Sequence, residues 1–218
     1  MLAALVANLS DDVPMWVQIV APPSSAKTEM LKSLKGVEQP HVHYLSKMTP
    51  QTLLSGWSKF AQDDDPSLLN RLPDRTVMVC KDFGTIMGLR AESRKEILSQ
   101  LREVYDGEVN ASYGTGGDVT WTGKLGLIVG VTNEIDDYAP VEQALGERFL
   151  RIRLQPDDRN SVACKALANG SHERAMKQEL NAVIWTPIIP PCWTLIFPPL
   201  QLRREAPGGG HAGVEEFA

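Results

Sequence analysis

Ala21-Pro-Pro-Ser-Ser-Ala-Lys27-Thr28 joins an apolar run, Met15-Trp-Val-Gln-Ile-Val20, to a helix-like segment, Glu29-Met-Leu-Lys-Ser-Leu34. A Lys-Thr pair where a short loop leaves a strand and enters a helix suits one kind of chemistry, the holding of a phosphate chain. The loop bends so that successive backbone N–H groups face a phosphate, and the helix that follows presents its positive end. Lys27 then neutralises charge on the outer phosphates, and the Thr28 hydroxyl binds Mg²⁺. Pro23, Ser24, Ser25 and Ala26 complete the cradle. Glycine is the usual residue at such bends because it reaches positive φ without strain. An alanine at 26 costs about 1–2 kcal/mol if the position is left-handed. The competing reading is an ordinary strand-to-helix turn rich in Pro and Ser.

The elements that position this loop follow from periodicity. His41-Val-His-Tyr-Leu45 alternates as a half-buried strand, which places both histidines on one face rather than in a metal pair. Thr49 as N-cap and Pro50 at the first helical position start a short helix. Thr76-Val-Met-Val-Cys80 is a continuous apolar run, the pattern of a strand buried on both faces, and it exits at Lys81-Asp82-Phe83. Ile97, Leu98, Leu101 and Val104 fall at helical spacing between Ala91 and Tyr105. Two alternating runs, 107–113 and 118–122, flank Gly114-Thr-Gly-Gly117 as a β-hairpin. Leu125-Gly-Leu-Ile-Val-Gly-Val131 is a further buried strand, ending in Thr132-Asn133-Glu134, and Phe149–Leu154 is the last. Buried strands alternating with helices predict an α/β fold with a mainly parallel, doubly wound sheet.

Composition bounds the function classes. The chain has 218 residues, 43% hydrophobic and 22% charged, as expected of a globular domain with a sizeable core. A net charge of −5 offers no global basic field for nucleic acid, although a local basic surface remains compatible with it. The three cysteines (Cys80, Cys164, Cys192) are widely spaced, which reads as reduced thiols and not as a disulfide framework or zinc site. No apolar run reaches membrane-spanning length, and Met1–Leu9 lacks the basic flank of a signal peptide. The expectation is a cytoplasmic protein with no membrane contact, so the glycosylation sequons at Asn8, Asn110 and Asn169 carry little weight.

In order and spacing these pieces resemble a P-loop NTPase of the AAA+ class over roughly residues 14–155. The loop keeps the spacing and the Lys-Thr pair of G-x-x-x-x-G-K-[ST], with Ala21 and Ala26 in place of both glycines. The resemblance implies ATP and Mg²⁺ as ligands, with Thr28 and Asp82 around the metal and Asp82 as the Walker B acid. The second acid that usually follows is Phe83 here, and Glu103 and Asp106 are substitutes that nothing in the sequence places near Asp82. Asn133 resembles the sensor 1 residue that contacts the γ-phosphate or the attacking water. Arg148, in Gly146-Glu-Arg-Phe149, resembles an arginine finger acting in trans, which implies a homo-oligomer such as a ring. Helix, glycine-rich hairpin, then sensor strand is similar to the pre-sensor hairpin group, including minichromosome-maintenance helicases and bacterial enhancer-binding activators. In those helicases the hairpin touches nucleic acid, which would assign DNA contacts to Trp121 and Lys124, with Tyr113, unless these are packing and surface residues. Leu101-Arg-Glu-Val-Tyr-Asp-Gly107 is also similar to uncharacterised ATP-binding proteins of phages and mobile elements.

The expected organisation is an NTPase core over 1–155, a partial helical lid over 156–184 with a break at Gly170-Ser171, and an irregular tail over 185–218. That tail alternates prolines with large apolar residues and then runs into Pro207-Gly-Gly-Gly, the composition of a docking segment or of a truncated or out-of-frame end. The resemblance implies an Mg²⁺-dependent ATPase motor, oligomeric and acting on DNA as a helicase or translocase. The alternatives are a nucleotide-binding switch or scaffold without turnover, favoured by Ala21, Ala26 and Phe83, and a fragment of a larger ATPase.

Overall fold

A computed structural model describes residues 1–35, 40–55, 67–113, 118–143 and 145–155, with positions scattered between 164 and 179. All lie within Met1–Thr186, the first of two units into which the chain divides. The hairpin tip 114–117 and the tail 185–218 lie outside the described residues.

Five strands form one sheet: β1 (Trp16–Val20), β2 (Val42–Leu45), β3 (Val77–Cys80), β6 (Gly126–Val131) and β7 (Phe149–Arg153). They lie in the order β2-β3-β6-β1-β7, and every pairing is parallel. β1, β3 and β6 are buried at every position, which is why the sequence shows them as unbroken apolar runs. Register aligns their exits: Val20 sits beside Val131 and Arg153, and Cys80 beside Val129.

Alternate side chains face two layers. Trp16, Val20, Met78, Cys80, Leu127, Val129 and Val131 join the main core with Ile97, Leu98, Leu101 and Val104 of α6 (Ala91–Asp106). That core also takes in α3 (Pro50–Leu53), α4 (Leu68–Arg71) and α5 (Gly84–Met87) through Leu53, Leu69, Ile86 and Met87. Trp16, 1% exposed, meets Tyr105 edge-on at 5.0 Å and donates its indole N–H to Leu125 O at 2.8 Å. The opposite face carries α1 (Leu2–Ala7) and α2 (Lys27–Lys32). Two glycines of β6 permit this second layer. A Cβ on Gly130 would stand 2.9 Å from Leu31 Cδ1 and 3.0 Å from Lys81 O, and one on Gly126 would stand 2.5 Å from Asn8 Nδ2.

α6 ends at Gly107, whose φ of 86° is the left-handed cap that lets the chain reverse at once into β4 (Glu108–Ser112). β4 pairs antiparallel with β5 (Asp118–Thr122), as the alternation predicts. Val109 and Val119 point into the core, and Glu108, Asn110, Asp118 and Thr120 are exposed. The predicted Thr49-Pro50 helix start is present, with Thr49 N–H donating to Thr52 Oγ1 at 2.8 Å. After β6 come a 3₁₀ segment, Asn133–Tyr138, and α7 (Ala139–Glu142). The described positions from 164 to 179 are helical on either side of a 3₁₀ turn, Gly170–His172, which coincides with the expected break.

The α1 layer was not foreseen, because a six-residue helix is too short for its periodicity to stand out. Asn8 is what ties it down. Its side chain donates to Ala4 O at 2.8 Å and Met15 O at 3.0 Å and accepts from Met15 N–H at 2.9 Å. No helix among the described residues is long and apolar enough to cross a membrane.

Candidate functional site at the carboxyl ends of the parallel strands

In open α/β sheets the strand exits are where loops from different strands meet and side chains converge. The loop after β1 leaves through Ala21, which is fully buried and donates its N–H to Val131 O at 3.2 Å. The backbone then turns left-handed at Ser24 (φ 60°) and again at Ala26 (φ 61°), with Ser25 between them in ordinary negative-φ space. Alternation of handedness is what a backbone nest requires if successive N–H groups are to face one side. Ala26 therefore holds a glycine-like conformation without being glycine.

Lys27 follows directly. Its ammonium donates to Ala21 O at 2.5 Å and Pro22 O at 2.8 Å, so that it clamps the mouth of its own loop. Burial lowers its pKa, and the negative charge of Asp82 opposes that shift, so Lys27 and Asp82 lie within each other's field. The turn that carries Asp82 out of β3 is anchored to β6: Phe83 N–H donates to Gly130 O at 3.0 Å, and Thr85 Oγ1 donates to Asp82 O at 2.8 Å. Thr28 stands exposed one residue into α2. The Thr28 hydroxyl and the Asp82 carboxylate are hard oxygen donors, the set that suits Mg²⁺, an ion that keeps several waters and shares substrate phosphates. These residues fit that cation.

Beyond Asp82 lies an open cleft of about 390 Å³, lined by Asp82, Thr85, Thr132, Glu134 and Tyr138 over a floor that includes Met87 and Ile135. Asn133, the expected phosphate-contacting amide, is exposed, and it is Thr132 and Glu134 on either side of it that line this cleft among the described residues. The Thr132 hydroxyl lies 3.4 Å from Glu134 Oε2. Neither Thr132 nor Glu134 was singled out by sequence. The only signal was the polar run Thr132-Asn133-Glu134 at the exit of a buried strand. On the outer side Arg153 pairs with Asp136 through Nη1–Oδ2 at 3.0 Å and Nη2–Oδ1 at 2.5 Å, and that contact holds the Asp136 carboxyl below its usual range.

The remaining expected residues lie elsewhere. Arg148 precedes β7, at the opposite end of the strands from Val20 and Val131. Its guanidinium donates to Leu145 O at 2.5 Å and to Asp106 at 3.0 and 3.3 Å, and it stacks 5.2 Å from the Tyr105 ring centre. Asp106 is thereby committed to Arg148 and not to Asp82. Trp121 is half-buried against the core beside Val109 and Val119. Lys124 donates to Ser10 O at 2.9 Å and Ala7 O at 3.4 Å, closing the carboxyl end of α1, and burial lowers its pKa. His43 lies on β2 as expected, and its pKa is lowered by burial and by the neighbouring His41 and Arg71 charges. Among the described residues no three His, Cys, Asp or Glu side chains converge as a metal cluster.

Compared with known proteins, the chain matches no family model, and no curated protein matches its sequence.

Proposed function

We propose that this protein binds ATP with Mg²⁺ at the loop 21–28 and hydrolyses it, as an AAA+-like P-loop NTPase. The observation that carries the reading is the loop itself, left-handed at Ser24 and Ala26 and followed directly by Lys27, whose ammonium closes the loop mouth on Ala21 O and Pro22 O. Three separate strand exits supply its parts. In this reading the loop and Lys27 take the phosphates, Thr28 and Asp82 hold the cation, and the cleft lined by Asp82 and Glu134 takes a water. The parallel sheet with an inserted β4–β5 hairpin agrees with this class without being specific to it.

Assembly into a homo-oligomeric ring and action on DNA rest on the resemblance. Arg148 serves a neighbour's nucleotide only if it leaves Asp106 and Tyr105 on assembly. The positions for a DNA contact are the exposed outward residues of the hairpin, since Trp121 packs inward and Lys124 caps α1. A second reading, a nucleotide-dependent switch without turnover, is favoured by one observation: Phe83, at the second-acid position, is wholly buried.

The test is the melting temperature of the full chain with ATP, with and without Mg²⁺, beside Asp82→Asn. Binding to the native state alone raises stability by about 2.7 kcal/mol at a hundredfold excess over Kd. The expected result is a Mg²⁺-dependent rise in wild type that Asp82→Asn loses. An equal rise with and without Mg²⁺ removes Asp82 and Thr28 from the cation.

A further inference from the structure

We propose that Glu134 is the general base of the hydrolysis, replacing the acid that is absent after Asp82. This rests on the ATP reading above. Position 83 offers no carboxylate to activate water: it is a phenylalanine, fully buried, with its ring 5.8 Å from that of Phe149. Asp106 is held by Arg148. Glu134, by contrast, leaves the neighbouring strand β6 and lines the same cleft as Asp82. It is exposed, and among the described residues its hydrogen-bond neighbour is the Thr132 hydroxyl at the long distance of 3.4 Å, so the carboxylate keeps acceptor capacity for a water. The 3₁₀ segment that carries it packs against α5, which begins two residues after Asp82, and this fixes one carboxylate relative to the other.

The roles divide by position. Asp82, at the exit of β3, is assigned to the cation. Glu134 shares the cleft with Asp82 and is assigned the water. In the step, the water oxygen bonds to the γ-phosphorus as the bond from that phosphorus to the bridging oxygen of ADP breaks. The water proton passes to the Glu134 carboxylate and then to solvent, and the products are ADP and inorganic phosphate. A positioned general base of this kind contributes about 10²–10⁴-fold to rate.

The experiment measures three quantities on the full chain as wild type, Glu134→Gln and Glu134→Asp: the Kd for Mg²⁺-ATP by calorimetry, the single-turnover rate, and the identity of the bound nucleotide by chromatography. Glu134→Gln should bind within about threefold of wild type, retain intact ATP and turn over about 100-fold or more slowly. Glu134→Asp should fall between the two. Unchanged melting without nucleotide checks that the variants fold, as expected for an exposed side chain. If Glu134→Gln hydrolyses within threefold of wild type, the inference fails and ATP binding stands. Loss of binding in Glu134→Gln overturns the base role in favour of a ligand role. Wild type that binds without turnover removes any base. Wild type that neither binds nor shifts overturns the ATP reading itself.

Discussion

Ala26 is a residue where backbone and sequence disagree, as Ser24 is two positions before it. It holds φ 61° in a conformation that costs an L-residue about 1–2 kcal/mol. Glycine there removes the strain and returns part of the gain as unfolded-state entropy, about 0.4–1 kcal/mol. Ala26→Gly should therefore raise stability by about 0.5–1 kcal/mol in urea unfolding and tighten Mg²⁺-ATP. A lower midpoint would mean that Cβ contacts at this position outweigh the strain. His43 supplies the pH dependence. Its folded pKa lies below the unfolded value, so the unfolded state binds more protons as pH falls through the ordinary histidine range. Stability should be full above about pH 6.5 and decline on acidification toward the depressed folded value. His43→Gln should flatten the melting-temperature slope between about pH 7.5 and 5.5.

At the scale of elements, the seat of α2 depends on β6 having no side chain at 130, as the close approach of Asn8 depends on its having none at 126. Gly130→Ala drives a methyl against Leu31 and the Lys81 carbonyl, of which only the leucine end yields. The expected cost is about 1–3 kcal/mol, with weakened nucleotide binding because both α2 and the Asp82 turn are pushed outward. An unchanged denaturation midpoint would show that α2 is loosely seated. Arg148 behaves similarly as a tie between α6 and the entry to β7. Arg148→Ala should cost about 1 kcal/mol in the chain without nucleotide, since it removes the Asp106 pair and the Tyr105 contact together. No loss of stability would mean that the side chain is held for another purpose, as a trans-acting residue would be.

For the whole molecule, the sheet was legible because burial on both faces writes β1, β3 and β6 as apolar runs, and the hairpin because Val109 and Val119 alternate with polar neighbours. The candidate site was open to sequence reasoning only where its parts are local. Lys27 and Thr28 follow their loop in sequence, and Asp82 ends its strand. Glu134 was hidden by phase: which of three consecutive polar residues lines the cleft depends on how the 3₁₀ segment turns after β6. Lys124 was hidden by distance, since the carbonyls it meets at Ala7 and Ser10 are 117 and 114 residues away. Trp121 was ambiguous because an aromatic in an alternating strand suits either a stacking surface or a core, and the half-buried face of β5 decides for the core.

The central claim is that the loop 21–28 is a phosphate cradle. It is tested most directly by calorimetric titration of the full chain with Mg²⁺-ATP beside Lys27→Ala. The expected result is saturable binding by wild type, weakened by the exchange of the Lys27 bonds to Ala21 O and Pro22 O for phosphate oxygens, and no binding by the variant. Equal heats from the two proteins, or none from folded wild type, would reduce the loop to a turn between β1 and α2 and contradict the account.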